Sequence, residues 1–284
     1  MLITLCIILT AAALLCGGYL SLIAGKPARE FRLFPFLGWD YAHRGLYRKD
    51  QSVPENSLKA FRLAVEHGYG IELDIQLTAD GEVVVFHDDS LFRMCGIKAP
   101  LSSYTYAQLQ KLQLCGTEER IPLFRDVLKL VNGAVPLILE LKSGTRSEEL
   151  CRKGYELLKE YKGPFCVESF DPRIVRWFYK HAKRVVRGQL ADCYEIASKY
   201  PGRSKASAFA GANLFGNWLG RPNFIAYRWS GYRNRNLRIC KRWFHLLTVA
   251  WTIQNKADLK IARRQFDLVI FEHFRPDDSN VNKS

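Results

Sequence analysis

The sequence predicts an α/β fold, a TIM-type (β/α)8 barrel preceded by one N-terminal transmembrane helix. Three observations carry this expectation. Short apolar runs alternate with stretches of helical periodicity, no G-x-G-x-x-G or Walker loop occurs, and residues 2–24 hold no charge. Repeated strand-then-helix order makes the strands parallel and covers them with helices. Eight such units close a cylinder, whereas an open doubly wound sheet would more often carry a glycine-rich turn after its first strand.

The first element is the uncharged run 2–24. As a helix it spans roughly 35 Å, enough for a hydrocarbon core of about 30 Å. A cleaved signal peptide is the alternative, but the basic leading segment is missing and the run exceeds the usual apolar stretch of such peptides. Lys26, Arg29 and Arg32 follow it, and charges so placed favour a cytoplasmic soluble part. The expected organisation is an anchor at 1–25, a juxtamembrane linker at 26–38, one barrel domain at 39–276 and a polar tail at 277–284.

Strands are expected at 39–43, 71–75, 83–87, 137–141, 165–169, 185–189, 224–227, 246–252 and 268–271. Helices are expected at 57–67, 123–131, 147–161, 172–181, 236–244 and 256–264. Nine strands are one too many for eight units, and Thr78-Ala79-Asp80-Gly81 is a turn where a helix should stand. Either one run is not a strand or that unit departs from the ideal barrel.

Forty-two Lys and Arg against 28 Asp and Glu leave a net charge of +14, so an anionic partner is expected. The eight cysteines form no C-x-x-C pair and are too sparse for a disulfide scaffold, which reads as reduced, mostly buried thiols.

Several strands carry titratable side chains. In Ile71-Glu72-Leu73-Asp74-Ile75 the two carboxylates are two apart and project from one face, and Glu140 and Lys142 repeat the spacing. His43 ends one strand and His87 another. Carboxylates gathered at one barrel face must pair with cations or hold a metal. An all-oxygen set suits one hard divalent cation, Ca2+ or Mg2+. Two histidines supply groups that exchange protons near neutral pH, and Arg44 and Lys142 offer fixed charge to an anion. Together these describe metal-assisted hydrolysis of a phosphate ester.

Ala42-His43-Arg44-Gly45, Pro54-Glu55-Asn56-Ser57, Gly70-Ile71-Glu72-Leu73-Asp74-Ile75, Val84-Val85-Phe86-His87-Asp88, Leu139-Glu140-Leu141-Lys142, Ser169-Phe170-Asp171-Pro172 and Trp251-Thr252 resemble, in order and spacing, the glycerophosphodiester phosphodiesterase family. The resemblance runs from about Trp39 to Pro276. It implies a barrel with its site at the carboxyl ends of the strands and hydrolysis of a glycerophosphodiester to glycerol 3-phosphate and an alcohol. By motif, His43 and His87 resemble the catalytic acid/base pair, Glu72, Asp74 and Glu140 the metal ligands, and Arg44 and Lys142 the phosphate contacts. Glu55 and Asn56 would orient Arg44 or His43; the other reading of Asn56 is the N-cap of the following helix. Phe271-Glu272-His273 stands where the family often has Thr-Asp, which questions the last strand's contribution.

Met94, Cys95, Leu101 and Tyr104 form either an apolar entrance or a satellite core. From Arg221 to Arg242 seven basic residues and no acidic one interleave with Phe224, Tyr227, Trp229 and Tyr232. Such interleaving suits single-stranded nucleic acid or anionic lipid; beside an anchor the expectation is lipid, with no nucleic-acid partner. Two rivals remain to the soluble-diester hydrolase. One is a lysophospholipase D-like enzyme acting on membrane lysolipids, and the other a non-catalytic, membrane-tethered phospholipid-binding barrel.

Overall fold

The computed structural model describes residues 1–200 and 202–276, so the expected tail at 277–284 lies outside the described residues. All nine apolar runs are strands: β1 (Asp40–Ala42), β2 (Gly70–Leu77), β3 (Val83–Val85), β4 (Leu137–Leu141), β5 (Phe165–Ser169), β6 (Val186–Ala191), β7 (Phe224–Arg228), β8 (Leu247–Ile253) and β9 (Leu268–Phe271). Eight of them pair in parallel in the order β1-β9-β8-β7-β6-β5-β4-β2, and β1 pairs back onto β2 to close the barrel. The ninth, β3, is antiparallel to β2 and outside the closure. The extra strand is therefore real, and the unit after β2 is the one that departs from the repeat.

Side-chain alternation divides each strand between two cores. Outward residues such as Ile71, Leu73, Ile75, Leu139 and Val167 pack under the helices. Inward residues Tyr41, Ile138, Cys166, Val186, Phe224, Val249 and Leu268 fill the lower barrel. Phe224 fits there because β6 offers Gly188, where a Cβ would lie 2.2 Å from the ring. Near the carboxyl ends the same inward register carries Glu72, Asp74, Glu140, Glu168 and Arg228, so β2, β4, β5 and β7 present ionisable side chains at one rim.

Segment 26–38, expected as a linker, is folded across the amino ends of the strands. Lys26 N–H donates to Pro222 O at 2.8 Å, Arg32 bonds the carbonyls of Lys183 and Arg184, and buried Phe36 joins the barrel interior, its carbonyl accepting from Tyr41. The helix Leu2–Ile23 is long and apolar enough to cross a membrane, a property shared with signal sequences. Its last turn belongs to the folded domain. Ile23 is buried and its carbonyl accepts from Asn217 Nδ2 at 2.9 Å and from Cys240 Sγ. Tyr19 bonds Asn236 and meets Phe215 edge-on.

Two expectations need correction, and one open choice is decided. Among the cysteines, all free, Cys151, Cys166 and Cys240 are buried while Cys6, Cys16 and Cys115 are exposed, because two lie on the apolar helix and one in a loop. Of the two readings of Met94, Cys95, Leu101 and Tyr104, the satellite core holds: Met94 and Leu101 are buried with Val84, Phe86 and Leu109, and Cys95 and Tyr104 pack against them. The run Arg221 to Arg242 is not one continuous face. Phe224 and Tyr227 are buried in the strand β7, Arg221 donates to Ala24 O, and Arg228 turns into the barrel mouth. Phe224 and Tyr227 therefore offer no exposed ring.

Candidate active site

A cavity of about 530 Å³ opens at the carboxyl ends of the strands, lined among others by His43, Arg44, Glu72, His87, Glu140, Glu168 and Glu272. The backbone places His43 by donating its N–H to Phe271 O, one residue beyond β1. Its Nδ1 lies 2.5 Å from Glu272 Oε2, and Nε2 lies 3.8 Å from Glu72. Glu272 is itself held by Tyr47 Oη at 2.8 Å and Gln254 Nε2 at 2.7 Å. His87 repeats the scheme from the β3 hairpin, with Nδ1 2.6 Å from Asp88 Oδ1. In both rings a carboxylate engages Nδ1, which leaves Nε2 as the working nitrogen.

Arg44 sits at φ +54°, and its N–H donates to Glu72 Oε2 at 3.1 Å. Its guanidinium reaches Glu55 at 2.6 Å, and Glu55 is gripped from the other side by Arg93 through two bonds of 2.7 Å. Arg93 also binds Asp88, so one guanidinium braces the supports of both Arg44 and His87. Asn56, at φ +55°, donates Nδ2–H to Asp74 Oδ2 at 2.9 Å. It is not the helix cap. Ser57 takes that place, accepting from Ala60 N–H, because the left-handed backbone turns Asn56 into the barrel.

Ligand oxygens of Glu72, Asp74 and Glu140 lie within 4.8 Å of one another, all buried. Lys142 Nζ bridges Asp74 at 2.7 Å and Glu140 at 2.8 Å. The neighbouring Glu168 is buried as well, and its Oε2 has no hydrogen-bond partner. Burial and the mutual repulsion of Asp74, Glu168 and Glu140 hold the Glu72 carboxyl well above its ordinary range. Burial likewise raises Glu140, and burial with Glu140 and Asp74 raises Glu168. Burial opposes the charge on Asp74 too, but Lys142, His87 and Arg44 outweigh it and keep that carboxyl low. A site with acidic groups in excess, an orphaned carboxylate oxygen and only oxygen donors fits a hard divalent cation. His43 is lowered by burial and by Arg44, with Glu272 working against them.

The residues assigned to catalysis, metal, phosphate and their support in the sequence are therefore gathered at one rim: His43, Arg44, Glu55, Asn56, Glu72, Asp74, His87, Glu140 and Lys142. Four contributors escaped it. Glu168 follows Cys166 by two on β5, the same alternation that marked Glu140, and was readable on that ground. Glu272 extends the inward register of Leu268 and Ile270, but its histidine partner is 229 residues away. Arg228 ends β7 two residues after inward Ala226 and was readable on the same alternation, whereas Arg93 comes from a connection and no periodicity points to it. Arg228 pairs with Asp192 and covers Trp251 at 4.6 Å.

The model of the glycerophosphoryl diester phosphodiesterase family matches residues 43–273. The chain is 34% identical over 164 residues to a glycerophosphodiester phosphodiesterase of Caldanaerobacter subterraneus, covering 54% of this chain and 66% of that protein. It is 32% identical over 164 residues to rat "Lysophospholipase D GDPD1", covering 51% and 50%. The chain thus spans about half to two thirds of the length of these curated relatives. Among solved structures it resembles an Oleispira antarctica phosphodiesterase in complex with sn-glycerol-3-phosphate, with TM-score 0.69, 23% identity and coverage of 84% of this chain and 94% of that one. A Thermotoga maritima glycerophosphodiester phosphodiesterase has TM-score 0.64 and 24% identity, covering 82% and 94%. At these identities the structural likeness establishes the barrel fold.

Proposed function

The chain belongs to the glycerophosphoryl diester phosphodiesterase family, and we propose that it hydrolyses a glycerophosphodiester to glycerol 3-phosphate and an alcohol by histidine acid–base catalysis. The observation that carries this reading is the pair of imidazoles, each tied at Nδ1 to a carboxylate, facing one cavity that also holds the acidic cluster. Glu72, Asp74 and Glu140 would hold one divalent cation, Ca2+ or Mg2+, which when bound supplies positive charge against the negative charge growing on the phosphate oxygens.

The chain's own groups do the rest. His43, kept neutral by burial and by Arg44, donates Nδ1–H to Glu272 and takes the proton of the attacking oxygen at Nε2. His87, braced by Asp88 and more open to solvent, gives a proton to the departing alkoxide as the P–O bond breaks. Arg44 and Lys142 add fixed charge beside the phosphate. Burial works against that charge, yet Asp74, Glu55 and Glu72 raise Arg44, and Asp74 and Glu140 raise Lys142. The test is His43→Ala and His87→Ala in the full chain, assayed for glycerol 3-phosphate release from glycerophosphocholine, glycerophosphoethanolamine and glycerophosphoglycerol. Both variants keep their fold and lose turnover by at least 100-fold; half-activity in either refutes that residue's role.

The helix Leu2–Ile23 is read as a retained, single-pass anchor with a cytoplasmic barrel. The support is its last turn: removing it would strip Asn217 and Cys240 of the carbonyl they bond, a cost of about 1 kcal/mol or more per lost bond.

A further inference from the structure

The course of the apolar helix fixes which end of the barrel it rises past. Tyr19 bonds Asn236, near the start of the helix Arg235–Arg242, which begins at the mouth end just after β7. Ile23 bonds Cys240, near that helix's far end, and Lys26 pairs with Pro222, ahead of β7. The chain therefore descends from mouth to floor between Tyr19 and Lys26. Followed backward, Leu2–Ile23 rises past the rim that carries the catalytic groups. Lys26, Arg29 and Arg32 lie at the opposite end.

The stretch of about 17 residues ahead of Tyr19 spans only roughly 25 Å, less than a hydrocarbon core of about 30 Å. No spacer separates the span from the rim, so the rim is drawn against the headgroups. The connection after β6 is built for that position. Exposed Tyr194 and Phe209 stack edge-on, Phe209 meets Phe215, and Phe215 meets Tyr19, a line of rings from the mouth to the span. Exposed Lys199, Lys205, Arg233 and Arg235 flank it, against one acidic residue, Glu195. Exposed aromatics among basic side chains suit the boundary of an anionic bilayer.

We propose that this rim, centred on Tyr194 and Phe209, rests on an anionic lipid surface and turns the cavity toward it. Phe170, Leu190, Trp229 and Trp251, which line the cavity, then receive the acyl side of a lysophospholipid drawn from the bilayer; this substrate assignment, unlike the contact itself, rests on the phosphodiesterase reading.

The test uses the full chain in nanodiscs of phosphatidylcholine and phosphatidylglycerol at 7:3. The indole added by Phe209→Trp is quenched at least twofold when the lipids are brominated; equal emission in brominated and plain discs overturns the contact. A Tyr194→Ser/Phe209→Ser/Lys199→Glu/Lys205→Glu variant turns over lysophosphatidylcholine in the discs at least fivefold more slowly, with soluble glycerophosphocholine unchanged. Equal losses on both substrates, or on neither, overturn delivery from the bilayer. Quenching in a protein that hydrolyses neither substrate upholds the contact and sinks the phosphodiesterase reading instead.

Discussion

Glu272 Oε2 lies 2.5 Å from Nδ1 of His43, and the two residues are joined by nothing in sequence, one following the first strand of the barrel and the other the last. The last strand, which departs from the usual family pattern, thus supplies the partner that fixes the orientation and tautomer of an imidazole. Burial opposes ionisation of Glu272, but the bonds from His43, Gln254 and Tyr47 prevail and hold its carboxyl below the ordinary range.

Glu272→Gln is expected to lower kcat by about 10- to 100-fold, the loss typical of removing a group that orients a working histidine, with KM and cation dependence little changed. Because the folded carboxyl is lowered, the stability it contributes is present above the ordinary carboxylate pKa and drains as acid protonates it. The variant should accordingly lose less stability than the parent between about pH 5 and pH 3, read by denaturant titration at each pH.

Glu168→Gln tests the orphaned carboxylate. In chelated protein it removes a buried carboxyl that burial, Glu140 and Asp74 hold above its ordinary range and that therefore costs stability at neutral pH, so stability rises by about 1 kcal/mol and Tm by roughly 2–4 °C. In the same variant the divalent cation needed for half-maximal activity increases. A fall in Tm together with unchanged cation dependence would place Glu168 outside the ion's field.

Cation removal should abolish turnover and lower Tm, both restored by Ca2+ or Mg2+. A cation at 100 times its Kd adds about 2.7 kcal/mol. Glu72→Gln shrinks that increment, measured as the difference in Tm with and without ion.

Arg93→Ala releases Glu55 and Asp88 together. Turnover is expected to fall about tenfold, since Arg44 and His87 each lose a brace, and stability by about 1–2 kcal/mol as Glu55 is left with Arg44 alone. Arg93→Lys restores only part, because an ammonium cannot hold both carboxylates in a planar fork.

Gly188→Ala drives a methyl to 2.2 Å from the Phe224 ring. The barrel interior has no slack, so a loss of about 1–3 kcal/mol is expected by chemical denaturation, with KM unchanged in what remains folded.

Barrel strands were legible because a parallel strand buried on both faces leaves a short apolar run, and ionisable residues inside such runs stand out. That is why Glu72, Asp74 and Glu140 could be found and the antiparallel β3 was counted without its direction being known. The helix Lys205–Ala212 was not legible, since Ala, Ser and Gly give it no apolar stripe. Segment 26–38 looked like a tether because its docking partners, Pro222, Lys183 and Arg184, are far away in sequence. Pairings such as His43 with Glu272 depend on closure of the cylinder, which no local pattern encodes.

One imidazole stands on the closed cylinder, the other on the β3 hairpin and its small separate core of Val84, Phe86, Met94 and Leu109. These two bodies need not melt together. Were the annex to loosen first on warming, the protein would fall silent below the melting point of the cylinder and regain its activity on cooling.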